Sequence, residues 1–275
     1  MKKIISCFIA FAFLGACATT TQPPSFLLKE TDKVGIVIDI PNQPIHRHLV
    51  LKAMKDGGFT KAYNADWNLK QDLFNKLKNE IQKSTQATVV LLSPDQVNLK
   101  ALPSLLKVKN KAWVANPKYK KEYDHLANDL GLSAIISVTA PEKVVYDTGS
   151  FGAYSASASV GGALGSLIGD AMASTMRKES KGYGLLSVTK KGKTTFYAFN
   201  TFEINVDLLS PPYNPADLGK LSSLDNIRNR ELFNFAEPDN INTIRPDDWK
   251  LVENALQNYI DVVATDVSKT LSSNL

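Results

Sequence analysis

Three short stretches of the chain are apolar almost without a break, and they set the first expectation. "KVGIVIDIP" (33–41), "ATVVLLSPD" (87–95) and "SAIISVTAP" (133–141) are rich in Val, Ile and Leu with no polar alternation. Continuous runs of this length suit strands buried on both faces, as in a parallel sheet. Between the first two, "WNLKQDLFNKLKNEIQKS" places Leu69, Leu73, Leu77 and Ile81 four residues apart beside Phe74. That spacing predicts an amphipathic helix, with Asp66 placed to cap it. "NPKYKKEYDHLANDLG" (116–131) predicts a second helix. Asn116 stands at its cap, Pro117 at its first position and Gly131 at a left-handed end. Strand–helix–strand–helix–strand argues for a parallel sheet covered by helices. Residues 42–66 read as loop-rich, and 99–111 as a lysine-rich segment.

The pattern changes after the third strand. Residues 147–184 are dominated by Gly, Ala and Ser and interrupt the rhythm as an insertion. Within them "SVGGALGSLIGDAMAS" puts Gly161, Gly165, Gly169 and Ala173 on one four-residue stripe, preceded by Ala153 and Ser157. On a helix such a stripe lets backbones approach closely, most often inside membranes. Residues 153–176 are long enough to span a bilayer. Gly, Ser and Ala transfer poorly, however, and the central Asp170 costs about 3 kcal/mol. Three readings stay open: self-association or membrane insertion, packing within the domain, and a surface loop. "KKGK" at 190–193 then marks a hairpin turn. Phe202, Ile204, Val206 and Leu208 alternate with polar residues, as in a half-buried antiparallel strand. A long polar loop spans 211–246. A closing helix over 247–271 carries Trp249, Val252, Leu256, Tyr259, Val263 and Val267 on one face.

The amino terminus stands apart from this body. "MKK" precedes the apolar run "IISCFIAFAFL", too short to span a bilayer and of secretory-signal form. It ends in Leu14, Gly15, Ala16 and Cys17, which resembles the lipobox of bacterial lipoproteins. That resemblance implies cleavage before Cys17 and acylation of its sulfur and amine, palmitate among the chains. Residues 1–16 are then a signal peptide, 17–30 a lipidated tether and 31–275 a periplasmic α/β domain. Ala18, in place of an aspartate, implies sorting to the outer membrane. Cys7 leaves with the signal and Cys17 carries lipid, so no thiol remains for a disulfide, zinc site or nucleophile. Losing Lys2 and Lys3 lowers the formal charge from +5 to +3, a mild excess suited to anionic envelope surfaces. Nucleic acid is not expected as a partner.

The lipobox, "VGIV", "WN" opening a helix, "TVVLLSP" and "LANDLGLSAIISV" before "GYGLL" resemble a group of uncharacterised proteobacterial outer-membrane lipoproteins. The order is also similar, more weakly, to the periplasmic α/β domains of the curli secretion lipoprotein and the Tol translocation protein. The resemblance implies an envelope assembly or transport part and carries no catalytic residue.

Candidate chemistry is sparse. "HRH" at 46–48 sets His46 and His48 on one face of an extended segment, without a third metal ligand nearby. Ser187 and the serines of 155–166 have no neighbouring base in sequence, and a hydroxyl nucleophile needs one. Asp39, Asp95 and Glu142 each follow an expected parallel strand, at the edge where α/β sheets bind ligands. Converging, they would suit a cation or a hydrolase. Lys107, Lys109, Lys111, Lys118, Lys120 and Lys121 are interleaved with Trp113, Tyr119 and Tyr123 and suit an anionic lipid surface or a solvated face.

The expected fold is thus α/β: three layers, a mainly parallel sheet with an added antiparallel hairpin, helices on both faces and a Gly/Ala/Ser-rich helical insertion. The expected role is a non-enzymatic, lipid-anchored outer-membrane module facing the periplasm, with neither cofactor nor metal. Its partners would be the membrane, other envelope proteins or further copies of itself. The alternatives are a membrane-inserting or channel-forming lipoprotein and an envelope hydrolase.

Overall fold

The three apolar runs become adjacent strands. A computed structural model describes residues 27–51, 58–65, 67–140, 143–147, 153–156, 176–179, 182–190, 192–213, 232–233, 241 and 243–272. In it β1 (Lys33–Asp39) lies between β4 (Thr88–Leu92) and β7 (Ala134–Thr139), parallel to both. β13 (Glu203–Leu208) adds an antiparallel edge, giving the order β13-β7-β1-β4. β1 and β7 are buried through five consecutive residues, which explains their unbroken apolar sequence. β4 is an edge strand and is buried only at Val89 and Leu92.

One face of this sheet carries Val34, Ile36, Val89, Ile136 and Val206 into the main core, beneath α1 (Leu69–Thr85), which packs in turn on α3 (Pro246–Ser272). Leu69, Leu73, Leu77 and Ile81 are all buried there, each contributing about 1.5–3 kcal/mol relative to exposure. On the opposite face Val37, Leu92 and Ile135 meet Leu126 and Leu132 in a second cluster. The segment carrying Leu126 is not one continuous α-helix. It winds through a 3₁₀ turn at Pro117–Tyr119, α2 (Lys120–Asp124) and a π-turn at His125–Asp129. Asn116 caps it, its side chain accepting from the Lys118 amide at 3.2 Å, and Gly131 closes it at φ 63°.

A second, five-stranded sheet was not legible as such. Its order is β14-β12-β11-β2-β3. It comprises β2 (Ile45–Leu51), β3 (Phe59–Ala62), β11 (Tyr183–Lys190), β12 (Lys193–Asn200) and β14 (Leu232–Phe233). β2 runs parallel to β11, and the other pairings are antiparallel. Residues 42–66 therefore hold two strands where the sequence suggests loop, because the inward positions of β2 are His46 and His48 rather than aliphatic. Gly184 makes the β2–β11 seam feasible. It sits at φ 140°, and an added Cβ would lie 2.2 Å from the Ile45 carbonyl oxygen. The architecture is mixed α/β, with several sheets that combine parallel and antiparallel pairs.

Further sequence expectations are corrected. The lysine-rich segment forms a hairpin of β5 (Leu106–Lys109) and β6 (Ala112–Ala115). α1 is preceded by Asn68 in a left-handed conformation with no side-chain cap bond, and Asp66, the expected cap, lies outside the described residues. The described ends of the segment expected to be a helical insertion are strands. Ala153–Ala156 and Met176–Glu179 are strands β9 and β10, flanking β8 (Lys143–Asp147) in a three-stranded antiparallel sheet. Gly161, Gly165, Gly169 and Ala173 lie outside the described residues, as do Leu14, Gly15, Ala16, Cys17 and Glu142. Among the described residues no helix is long and apolar enough to cross a membrane.

Candidate functional site

A cleft opens at the carboxyl ends of β1 and β4, the edge at which α/β sheets place ligands. It has two adjoining lobes of about 590 and 470 Å³ that share Lys70, Gln71 and Leu91. Asn42 and Gln43 enter the larger lobe from the loop after β1, and Asn64 and Asn68 from the segment leading into α1. Ser93, Pro94 and Gln96 line the smaller one from the turn after β4.

Local chemistry holds these groups in place. Asn tolerates the left-handed backbone at position 68, which turns the chain into α1 at φ 47°. Ser93 opens the 3₁₀ turn Pro94–Gln96 as a capping box: its hydroxyl accepts from the Asp95 amide at 3.4 Å, and the Gln96 side chain accepts from the Ser93 amide at 2.9 Å. Gln43 donates to the Asn64 side chain at 3.3 Å, and Tyr183 donates its hydroxyl to the Asn42 carbonyl at 2.9 Å. Stacking of Tyr63 on Trp249, with ring centroids 4.0 Å apart, fixes the segment before Asn64 against α3.

The lining is neutral and amide-rich, with Lys70 as the charged member. Of the expected carboxylates, Glu142 lies outside the described residues. Asp39 and Asp95 line neither lobe, and Asp95 is exposed on the turn that Ser93, not Asp95, caps. Among the described residues no three His, Cys, Asp or Glu side chains gather where they could hold a metal.

The second polar cluster lies inside the five-stranded sheet. Alternation along β2 puts His46 and His48 on one face and Arg47 on the other. The register sets Leu185 opposite His46 and Ser187 opposite His48. The Ser187 hydroxyl then lies 2.8 Å from His46 Nε2 and 2.8 Å from His48 Nδ1. Burial lowers the His46 pKa to about 4, with smaller contributions from His48 and Lys61. Burial also lowers that of His48, against the opposing effect of a hydrogen bond to the Ser187 backbone. Both imidazoles are therefore neutral at pH 7, and the hydroxyl donates to one while accepting from the other. This supplies the base that Ser187 lacked in sequence. Ser187 is nevertheless 0% exposed, with Phe59 packed edge-on to His46, so no reacting group reaches it. The trio is a satisfied interior network. Sequence reading singled out the two histidines and Ser187 separately and did not join them, since Ser187 stands 141 positions from His46.

The lysines of the basic segment are all exposed, three on or at the turn of the β5–β6 hairpin and three at the start of the segment that follows. Val108, beside them on β5, is 53% exposed. No known protein family, curated protein or solved structure matches the chain.

Proposed function

We propose that the chain is a lipid-anchored outer-membrane lipoprotein facing the periplasm, a non-enzymatic binding or scaffold module in envelope assembly, transport or maintenance. Its body is a three-layer α/β unit built on the β13-β7-β1-β4 sheet. One observation carries the reading: the tether and the cleft belong to opposite ends of that sheet. The Leu28 amide donates to the Leu271 carbonyl, and the Thr88 amide donates to the Asp32 carbonyl, so the chain arrives at the amino end of β1. The cleft lies at the carboxyl end, about 20 Å away along seven residues of strand. A lipid on Cys17 would hold the amino end toward the bilayer and leave the cleft facing the periplasm.

The lysine hairpin is consistent with this orientation. Trp113 on β6 donates its amide to the Tyr213 carbonyl, and Leu209 donates its amide to Ser133 beside the start of β7. The hairpin thus hangs near the anchor end, where exposed lysines would face anionic headgroups.

The test is metabolic labelling with radioactive palmitate, followed by separation of inner and outer membranes. Label in the outer-membrane fraction that disappears in Cys17→Ala is the expected result. An unlabelled wild-type chain, or one sorted to the inner membrane, would remove the anchorage.

A further inference from the structure

We propose that the partner of this binding module is a polypeptide segment in extended conformation, added as a strand to the open edge of β4 and led into the cleft. The inference rests on the binding-module reading and gives it a partner class.

Thr88 donates its amide to the carbonyl of Asp32, the residue just before β1, at 2.9 Å. Amides along a strand point alternately to its two sides, so Val90 and Leu92 also face β1. The N–H and C=O groups of Val89 and Leu91 therefore face away from it. β4 ends the sheet order, and among the described residues no strand pairs with that outer side. Such an edge is a template for another strand unless it is blunted by proline, lysine or a bulge. "TVVLL" contains none of these.

Two further features favour use of the edge. Leu91 is 50% exposed and lines both lobes of the cleft. A strand paired to β4 would run directly past it. Beyond Leu91 the walls are side-chain amides and a hydroxyl from Gln71, Ser93 and Gln96. These groups offer neutral donors and acceptors, the same chemistry as a peptide main chain. Main-chain pairing would give affinity, and the side chains around Leu91 would give preference among sequences.

The probe is a short uncharged peptide of alternating valine and threonine, N-methylated at every second residue so that one edge alone can pair. The control is methylated at every residue. Both carry fluorescein and are titrated by anisotropy against the full mature lipoprotein in detergent. The half-methylated peptide is expected to bind saturably, and the fully methylated one about tenfold or more weakly. Leu91→Pro, which removes one outward N–H at an edge position, should weaken binding about tenfold relative to Leu91→Thr, which keeps it. Hydrogen exchange supplies a check independent of any variant. The Val89 and Leu91 amides should exchange quickly in the free protein, slowly with peptide, and always faster than Val90 and Leu92.

Equal binding of the two peptides, binding of neither, or slow exchange at Leu91 in the free protein overturns the proposal. Binding of an uncharged N-acetylglucosamine oligomer with no peptide binding overturns it in favour of a glycan. Palmitate labelling with no peptide binding leaves the anchored module standing and removes this partner class. Peptide binding without labelling removes only the anchor.

Discussion

β1 and β2 each lie beside a parallel neighbour, yet they bury opposite kinds of residue. β1 hides aliphatic side chains on both faces and leaves its polar neighbours at the strand ends, where they form a cleft. β2 hides two imidazoles and closes them over a serine hydroxyl. The first arrangement exposes polar chemistry to solvent. The second satisfies it internally and seals it away. The lesson concerns inference as much as folding: the constellation that looks catalytic, histidines on a serine, is the inaccessible one. The groups able to meet a ligand are ordinary amides at a sheet edge.

The seam of the second sheet is the place to break this contrast most severely. Gly184→Ala would push a Cβ into the Ile45 carbonyl at an unfavourable φ, and about 3 kcal/mol or more should be lost. Gly131→Ala, at a helix end with nothing within 4 Å of an added Cβ, should cost only about 1 kcal/mol. Urea melts of the two variants check the pair. Equal costs would mean that the β2–β11 seam can shift without penalty.

Ser187→Ala tests the sealed network itself. It strips both imidazoles of their shared partner, and a loss of about 2 kcal/mol is expected. A fluorophosphonate probe should leave Ser187 unlabelled in the native protein and in Gly131→Ala alike. Labelling of native Ser187 would show that the serine is accessible and that the network is not sealed.

The two sheets also hold titrating groups of opposite sense. His46, ordinarily near 6.5, is lowered to about 4 by burial in the five-stranded sheet. Asp207 on β13, ordinarily near 3.8, is raised to about 7 by burial in the four-stranded sheet. Between about pH 4 and 6.5 the unfolded chain carries a proton on His46 that the folded chain lacks, which makes stability rise with pH. Over the same range the folded chain carries a proton on Asp207 that the unfolded chain lacks, which makes stability fall with pH. The two slopes oppose, so the contribution of this pair to wild-type stability should be nearly flat there. Asp207→Asn should uncover a rise with pH, and His46→Gln a fall, each at most about 1.4 kcal/mol per pH unit. Denaturation midpoints at pH 4.5, 5.5 and 6.5 check both signs.

What could be read from sequence follows the same division. β1 and β7 were legible because burial on both faces writes a continuous apolar run, and β4 because its half-buried Val90 and exposed Leu91 are apolar too. α1, α3 and β13 were legible because one buried face writes a period. β2 was not, since its inward residues are histidines whose partner comes from β11. The β5–β6 hairpin was hidden by its turn, where Asn110 and Lys111 both adopt positive φ, at 52° and 62°. Glycine at the second position would have signalled that geometry. The cleft left no motif because its amides come from five separate places between residues 42 and 96.

The smallest effect concerns what couples the two sheets. α1 lies over β1 and β4, α3 lies over β11 and β12, and the helices pack against each other. Hydrogen bonds from Gln257 to Asp72 and from Ser268 to the Glu80 carbonyl cross their seam, and two further kinds of contact join them. One is apolar and buried: Leu73, Leu77 and Ile81 on α1 share a core with Val263, Ala264 and Val267 on α3. The other is the Lys76–Asp261 ion pair at 2.8 Å, whose side chains are 50% and 51% exposed. At that exposure solvent screens the attraction and ordering two side chains offsets much of it, so Lys76→Ala should cost about 0.5 kcal/mol or less. Val263→Ala, at a fully buried position, should cost several times more. If 0.5 M salt or Lys76→Ala instead lowered stability by more than the valine truncation, surface charge rather than the buried seam would hold the sheets together.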